Sequence, residues 1–570
     1  MLLIIGAVML MSAPWFFSCT LHAQAIALPN AKQIKWYHRE VMVFLHFSMN
    51  TFTGNEWGDG TDKPSVFNPT DLDCDQWIRT VKNAGFTCAI LTAKHHDGFC
   101  LWPSAQTTYD VAASPWKDGK GDVIREFTDA CRKYGVKAGL YLSPWDRHEP
   151  SYGTAAYNTF YMKQLRELLT GYGPICEIWW DGAGDQMAFD FRQWADTITS
   201  LQPDCFIFGA KKASPYVDGR WIGNEDGVAG DPCWATIDRS VIDVENLSLL
   251  STGQVNGSSF VPAECDVTIR PGWYFHAAEN TKVKSTATLW NTNYFGSVGR
   301  NAVLLLNLPP DTRGRIYATD STRLDSLGGW IRGTFATNLA TGATVTSRHG
   351  ENGPYPPSMT IDTSENTWYA VPEPFTTDTL LFDLGASCTF DCALLQERIE
   401  SGQRITTWSL DAYYNEKWNG LATNKQGVGY KRIIKFATVT ATQVRIRITA
   451  GKAGPMIHTF GLFRSRYAAA PVTAMLPPRL TDKCSQHSGS FRVAGRTLLL
   501  PEAFSHTMVR VELFDLLGRT IAVSFVHGNR AILPSPEVLR NSEMLYVRCT
   551  ADKATASAVV TVPVVTGATR

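Results

Sequence analysis

The stretch Ile175-Cys-Glu-Ile-Trp-Trp-Asp-Gly-Ala183 decides how this chain is read. It is an apolar, aromatic run of strand length that ends in a carboxylate and passes into Gly-Ala. That is the pattern of a barrel strand delivering an acidic group to its carboxyl-terminal mouth. Two tryptophans beside one acid make a flat apolar wall. Such a wall suits a sugar ring, whose C–H faces stack on indole while its hydroxyls meet polar groups. The competing reading of Asp181 is a strand-end aspartate that caps the next helix.

The pattern recurs on both sides of this stretch. Apolar strand candidates lie at 43–47, 89–94, 138–143, 176–181 and 206–209, with 220–225, 260–264 and 303–307 completing the set. Between the early ones lie helical segments at 75–84 and 122–134. Each is followed by a glycine, Gly85 or Gly135, where a left-handed cap ends a helix. Strands alternating with helices predict a (β/α)8-like barrel of the α/β class over residues 30–330, with its working residues at the carboxyl ends of the strands.

Past residue 330 helical periodicity disappears, and short alternating runs rich in Ser, Thr and Gly take over, among them Gln443-Val-Arg-Ile-Arg-Ile-Thr449. They predict an antiparallel β-sandwich at 335–466. The stretch Ala470-Pro-Val-Thr-Ala-Met-Leu-Pro-Pro478 marks a linker at 467–480, and a small β-domain is expected at 481–570.

Charge and composition exclude several classes. Lysine plus arginine and aspartate plus glutamate each number 53 in 570 residues, so nothing points to nucleic acid or to anionic lipid. Eighteen tryptophans agree with carbohydrate handling. The amino end reads as a secretory signal peptide over residues 1–25, with Ala23-Gln-Ala25 at the cleavage spacing, although it lacks the customary lysine or arginine. No later segment reaches the roughly 20 apolar residues a membrane span needs. An exported protein is expected. The 13 cysteines are scattered singly with no CxxC, which argues against a zinc ribbon or redox motif.

On the barrel, polar residues fall at strand ends. His46 closes the first strand, Lys94-His-His-Asp-Gly98 the second, Tyr141 lies near the end of the third and Asp181 ends the fourth. Glu225 follows the sixth. Neighbouring residues on an extended strand point to opposite faces, so His95 and His96 are poorly placed to share one ion. No HExxH spacing occurs, and no catalytic metal is expected.

The segments Phe44-Leu-His-Phe-Ser-Met-Asn-Thr-Phe52, Asn55-Glu-Trp-Gly58, Leu91-Thr-Ala-Lys-His-His-Asp-Gly-Phe99, Gly139-Leu-Tyr-Leu-Ser143 and Trp179-Trp-Asp-Gly182, in this order, resemble glycoside hydrolase family 29, the retaining α-L-fucosidases. Arg220-Trp-Ile-Gly-Asn-Glu-Asp-Gly227 and Phe260-Val-Pro-Ala-Glu-Cys-Asp266 are similar to the branch that prefers α-1,3/1,4-linked fucose. The resemblance implies Asp181 as nucleophile and Glu225 as general acid/base, with Glu264 as the rival for the second role. It implies a fucose pocket lined by His46, Glu56, Trp57, His95, His96 and Tyr141, to which Trp179, Arg220 and Trp290 are added. Glu225 is expected to have a raised pKa in the free enzyme. An inactive glycan-binding protein on the same scaffold, or a fucosidase of broader linkage range, is the alternative.

The segment at 335–466 resembles a discoidin (F5/8 type C) domain, which leaves open galactoside binding, a wall of the active-site mouth, a structural calcium ion or plain packing on the barrel. The tail, with Val511-Glu-Leu-Phe-Asp-Leu-Leu-Gly-Arg519, is similar to the sorting domains of the type IX secretion system. That implies secretion machinery as a partner and a bacterial periplasm, cell surface or medium as the address; a plain β-domain is the other reading. A fucosylated oligosaccharide or glycoconjugate is the implied substrate.

Overall fold

The computed structural model describes residues 26–465, apart from 186–187, 210, 243–245, 350–352 and 363, together with the strands of a carboxyl-terminal unit beyond residue 491. The expected signal peptide and linker lie outside the described residues.

Eight parallel strands close into a barrel. They are β1 (Val41–Leu45), β2 (Cys88–Lys94), β3 (Lys137–Leu142), β4 (Glu177–Trp179), β5 (Phe206–Gly209), β6 (Gly219–Trp221), β7 (Ala263–Thr268) and β8 (Ala302–Asn307). Each pairs with its sequence neighbours, and β8 returns to β1. The two-residue period of a strand sorts their side chains. Met42 and Phe44 of β1, Ile90 of β2, Tyr141 of β3, Trp179 of β4 and Leu305 of β8 fill the interior, while Val43, Leu91, Leu140, Ile178 and Leu304 face the helices. The same alternation separates the paired tryptophans of the deciding stretch. Trp179 faces inward, and Trp180 packs outward on Phe191 and Trp194 of the helix Phe191–Leu201, with ring centroids 5.4 and 6.1 Å away. The continuous indole wall expected from the sequence is therefore one inward indole and one structural one.

The early helices form where capping chemistry places them. Asp73 accepts from the Gln76 amide to start Cys74–Ala84, and Gly85 ends it at φ 89°. Asp122 and Gly135, the latter at φ 68°, do the same for Val123–Tyr134. A side chain on either glycine would be strained in that left-handed region. The later repeats are irregular, as the chain between β6 and β7 shows. Ser259–Phe260 pairs with Thr236–Ile237 in a separate two-stranded ribbon, so the seventh barrel strand begins at Ala263 rather than at 260.

The following segment forms a seven-stranded antiparallel sheet around its own core of Leu380, Phe382, Trp408, Ile446 and Phe460. Register shifts between Asp383 and Cys388 and between Phe390 and Cys392 interrupt its 20-residue strand Asp378–Glu397, where it pairs with Arg432–Gly451. This β-sandwich segment packs on residues that precede β1 and β8. Tyr430 stacks on Tyr37 at 4.9 Å, its amide donates to Asn301 Oδ1 at 2.7 Å, and Lys431 pairs with Glu40. These contacts lie at the amino-terminal edge of the barrel, opposite the strand ends that carry chemistry. The unit beyond residue 491 contains a three-stranded and a four-stranded antiparallel sheet.

Candidate active site

The carboxyl ends of β1, β2, β4 and β7 and the loop after β6 converge on a cavity of about 150 Å³. It is lined by Phe44, His46, Glu56, Trp57, His95, His96, Trp179, Asp181, Ala183, Glu225, Asp266 and Trp273. That is below the roughly 300–1,000 Å³ of clefts for drug-sized ligands and fits a single small ring. A second cavity of about 350 Å³ shares Trp179, Asp181, Ala183, Glu225 and Asp266 with the first and continues along Phe208, Trp221 and Leu247.

Asp181 lies two residues beyond the end of β4, on the inward phase of the strand. Tyr141 Oη donates to its Oδ2 at 3.2 Å, and the Ala183 amide donates to Oδ1 at 2.6 Å. These two donors fix the carboxylate plane. His96 Nε2 stands 3.8 Å from Oδ2. Ser143 Oγ donates to the Trp145 carbonyl at 2.6 Å, so it accepts from His96 Nδ1 at 2.8 Å, which puts the His96 proton on Nδ1. Burial holds the His96 pKa below its ordinary value against the pull of Asp181. A neutral Nε2 and a carboxylate oxygen, both acceptors, then stand side by side, each able to take the proton of a separate ligand hydroxyl.

His46 is set by the same logic. Asn307 donates through Nδ2 to the Trp273 carbonyl at 2.8 Å, so its Oδ1 accepts both the His46 amide and His46 Nδ1, the latter at 3.0 Å. Burial pushes the His46 pKa down to about 3, which leaves Nε2 as a permanent acceptor. His95 is also kept neutral by burial, and its Nδ1 has no hydrogen-bond partner among the described residues. Glu56 accepts from the Trp273 amide at 2.8 Å and meets His276 at 3.0 Å. Trp57 leaves 58% of its surface exposed and stands edge-on to His96 at the mouth.

Glu225 sits on the loop after β6, where Trp273 Nε1 donates to its Oε2 at 3.1 Å. Its pKa is raised, first by burial and then by the charges of Asp181, Glu56 and Asp226, against the lowering effect of the Trp273 hydrogen bond. The rival Glu264 lies one turn of the pleat lower, inside the barrel. It is fully buried, accepts from Trp179 Nε1 at 2.8 Å, and is held protonated by burial and by Glu177 below it. It lines neither cavity and instead braces the inward indole.

Two expected pocket residues stand elsewhere. Arg220 is on the outward phase of β6, fully buried, and donates to the carbonyls of Leu250, Val261 and Trp234. Trp290 is buried behind the barrel wall, stacked on Tyr294 at 5.2 Å. Both are scaffold. Conversely, Asp266 and Trp273 line the cavity although the sequence does not single them out: the strand expected at 260–264 stops two residues short of Asp266, and Trp273 lies on the loop beyond the strand. The available signal was the alternation Glu264, Asp266, Thr268 against Cys265, Val267, Ile269, a strand with a polar inward face. Among the described residues no cluster of three or more metal-ligating side chains occurs, and no helix is long and apolar enough to cross a membrane.

A closed parallel barrel whose carboxyl edge gathers acidic groups, histidines and indoles around a ring-sized cavity defines a barrel glycosidase. Residues 17–334 match the α-L-fucosidase family, and residues 342–460 match the F5/8 type C domain. Alpha-L-fucosidase 1 of Arabidopsis thaliana is 39% identical over 458 residues, covering 78% of this chain and 89% of the relative. A Bacteroides thetaiotaomicron protein, provisionally named an α-L-fucosidase, has a crystal structure 47% identical to this chain. It superposes with a TM-score of 0.75 and covers 77% of this chain and 99% of its own. A Ruminococcus gnavus GH29 fucosidase in complex with fucose is 35% identical, with a TM-score of 0.71 and coverages of 78% and 97%. The chain belongs to the α-L-fucosidases of glycoside hydrolase family 29, with an appended F5/8 type C domain.

Proposed function

We propose that the protein is an exported, retaining exo-α-L-fucosidase that removes terminal α-1,3/1,4-linked L-fucose from oligosaccharides or glycoconjugates. The observation that carries this reading is the placement of Asp181 and Glu225 on the rim of one ring-sized cavity, which they share with three neutral histidines and with the carboxyl groups of Glu56 and Asp266. Double displacement assigns one role to each acid. Asp181 attacks the anomeric carbon as the carboxylate while Glu225, with its raised pKa, gives its proton to the leaving oxygen. Once the fucosyl–Asp181 ester forms, that negative charge is gone, the Glu225 pKa falls, and its carboxylate takes a proton from the incoming water. His46 and His96 accept hydrogen bonds from ring hydroxyls, and Trp179 and Trp57 offer apolar faces to the ring.

The second cavity, open beyond Glu225 and walled by Trp221 and Phe208, supports a sugar leaving group of more than one residue. Asp181→Asn tests the nucleophile; turnover of an aryl fucoside equal to wild type would remove the assignment. The linkage reading expects Lewis-type trisaccharides to be cleaved faster than aryl fucosides, and the opposite ranking would discard it. For the carboxyl-terminal unit, the two small antiparallel sheets are compatible with a type IX sorting role. Deleting residues 468–570 should then leave the enzyme in the periplasm, because the signal peptide still carries it across the inner membrane.

A further inference from the structure

Asp266 stands on the inward phase of β7, 3% exposed, and lines both cavities together with Asp181 and Glu225. It therefore belongs to the partition through which the bond from a ring in the small cavity to its aglycone in the larger one must pass. Trp221 Nε1 engages its Oδ1 at 2.8 Å. Its other surroundings are Glu225 across the cavity, Asp181 at the end of β4, Glu264 on its own strand, and the apolar Leu305 in register on β8.

The two cavities thus share three carboxyl groups, and among the described residues no lysine or arginine lines either. Three carboxylates lining one shared, partly buried space repel one another strongly. Glu225 takes one proton for its role as acid. The next group to be neutral is the most buried of the three.

We propose that Asp266 is a substrate-binding residue that works as the neutral acid, donating its O–H to a hydroxyl of the sugar on the leaving side of the scissile bond. This rests on the fucosidase reading of the site. A carboxylic acid can hold the Trp221 donor on one oxygen and give a proton from the other. An ionised carboxylate can only accept. Burial, then the charge of Glu225, pushes the Asp266 carboxyl up to about 8, so the donor is present through the neutral range and is lost above it.

The test compares Asp266→Asn with Asp266→Ala on a fucosylated trisaccharide and on an aryl fucoside whose leaving group has no sugar hydroxyl. Asparagine is neutral, near-isosteric and keeps one donor and one acceptor. It should leave kcat/KM for the trisaccharide within about threefold of wild type, whereas alanine should lower it about 10–100-fold, mostly through KM, and spare the aryl fucoside. The wild-type KM for the trisaccharide should rise as pH passes about 8, because the ionised group loses its donor, and that rise should vanish in Asp266→Asn. Equal losses in both variants, or an alanine loss equal on both substrates, would overturn the proposal. Should Asp266→Ala fail to fold, the pH dependence of KM in wild type and Asp266→Asn decides alone, and identical profiles would overturn it. Wild-type turnover of the aryl fucoside is the control for the underlying reading. Absence of turnover of both the aryl fucoside and the trisaccharide by the wild type would fault the fucosidase assignment, not the role of Asp266.

Discussion

Replacing Arg220 with methionine separates two roles that the sequence could not. In a sugar pocket the guanidinium would contribute to KM. In the structure it is a fully buried clamp that donates to three backbone carbonyls, those of Leu250, Val261 and Trp234, and so ties the irregular chain between β6 and β7 to the barrel. Methionine replaces most of the aliphatic stem and removes every donor. Each carbonyl left buried without a partner costs about 1–3 kcal/mol. With some relief from water entering at the loop, the sum is about 3–6 kcal/mol. An unfolding entropy of about 2.1 cal/mol/K per residue over roughly 270 barrel residues gives about 0.6 kcal/mol/K, so the melting temperature should fall by about 5–10 °C. Scanning calorimetry of the whole chain measures this, with aryl fucoside kinetics well below the transition as the second readout. There KM should stay within about twofold of wild type. A melting temperature unchanged to within a degree, together with a tenfold rise in KM, would refute the clamp and return Arg220 to the pocket.

Glu225→Gln should abolish the alkaline limb of the kcat/KM profile. The limb falls as pH rises through the Glu225 pKa, which burial and Asp181 raise above the usual range, and the loss of rate should be far larger on a glycan than on an aryl fucoside with a good leaving group. Trp273→Phe removes the indole donor that favours the Glu225 carboxylate, so the same limb should move to higher pH; a shift to lower pH would contradict the bond. Gly139→Ala brings a Cβ to 2.9 Å from Ile90 Cγ1 and 3.3 Å from Glu177 Cβ on the barrel's inner wall. It should destabilise by about 1–3 kcal/mol in denaturant titration, and a neutral result would mean that the barrel floor has room for the added methyl group.

Much of this architecture can be read along the chain because its causes are local. Asp73 and Gly85, or Asp122 and Gly135, bracket a helix by satisfying terminal amides and by permitting positive φ, and those needs are visible in a short window. The apolar run that ends at Asp181 shows its character in the same way. The site was legible where one residue at a strand end decides direction, as at His46 and Asp181. It was illegible where a strand's end, its phase or the loop that follows it decides which side chains reach the cavity. Ending the seventh strand at 264 leaves out Asp266, Trp273 comes from the loop after that strand, and on β6 the outward phase takes Arg220 away from the cavity.

By itself, then, the sequence determined a barrel followed by β-sheet segments, a carboxylate at the end of the fourth strand, and the family to which the chain belongs, because those rest on residue type, spacing and local backbone preference. Only the tertiary structure decided that Glu225 rather than Glu264 faces Asp181 across the cavity, that Trp179 looks inward while Trp180 looks out, and that a third carboxyl, Asp266, shares their space. The reason is physical. Strand phase and barrel closure bring together residues more than 80 positions apart, and whether a carboxyl ends up in a ligand cavity or under an indole depends on neighbours that no local window contains.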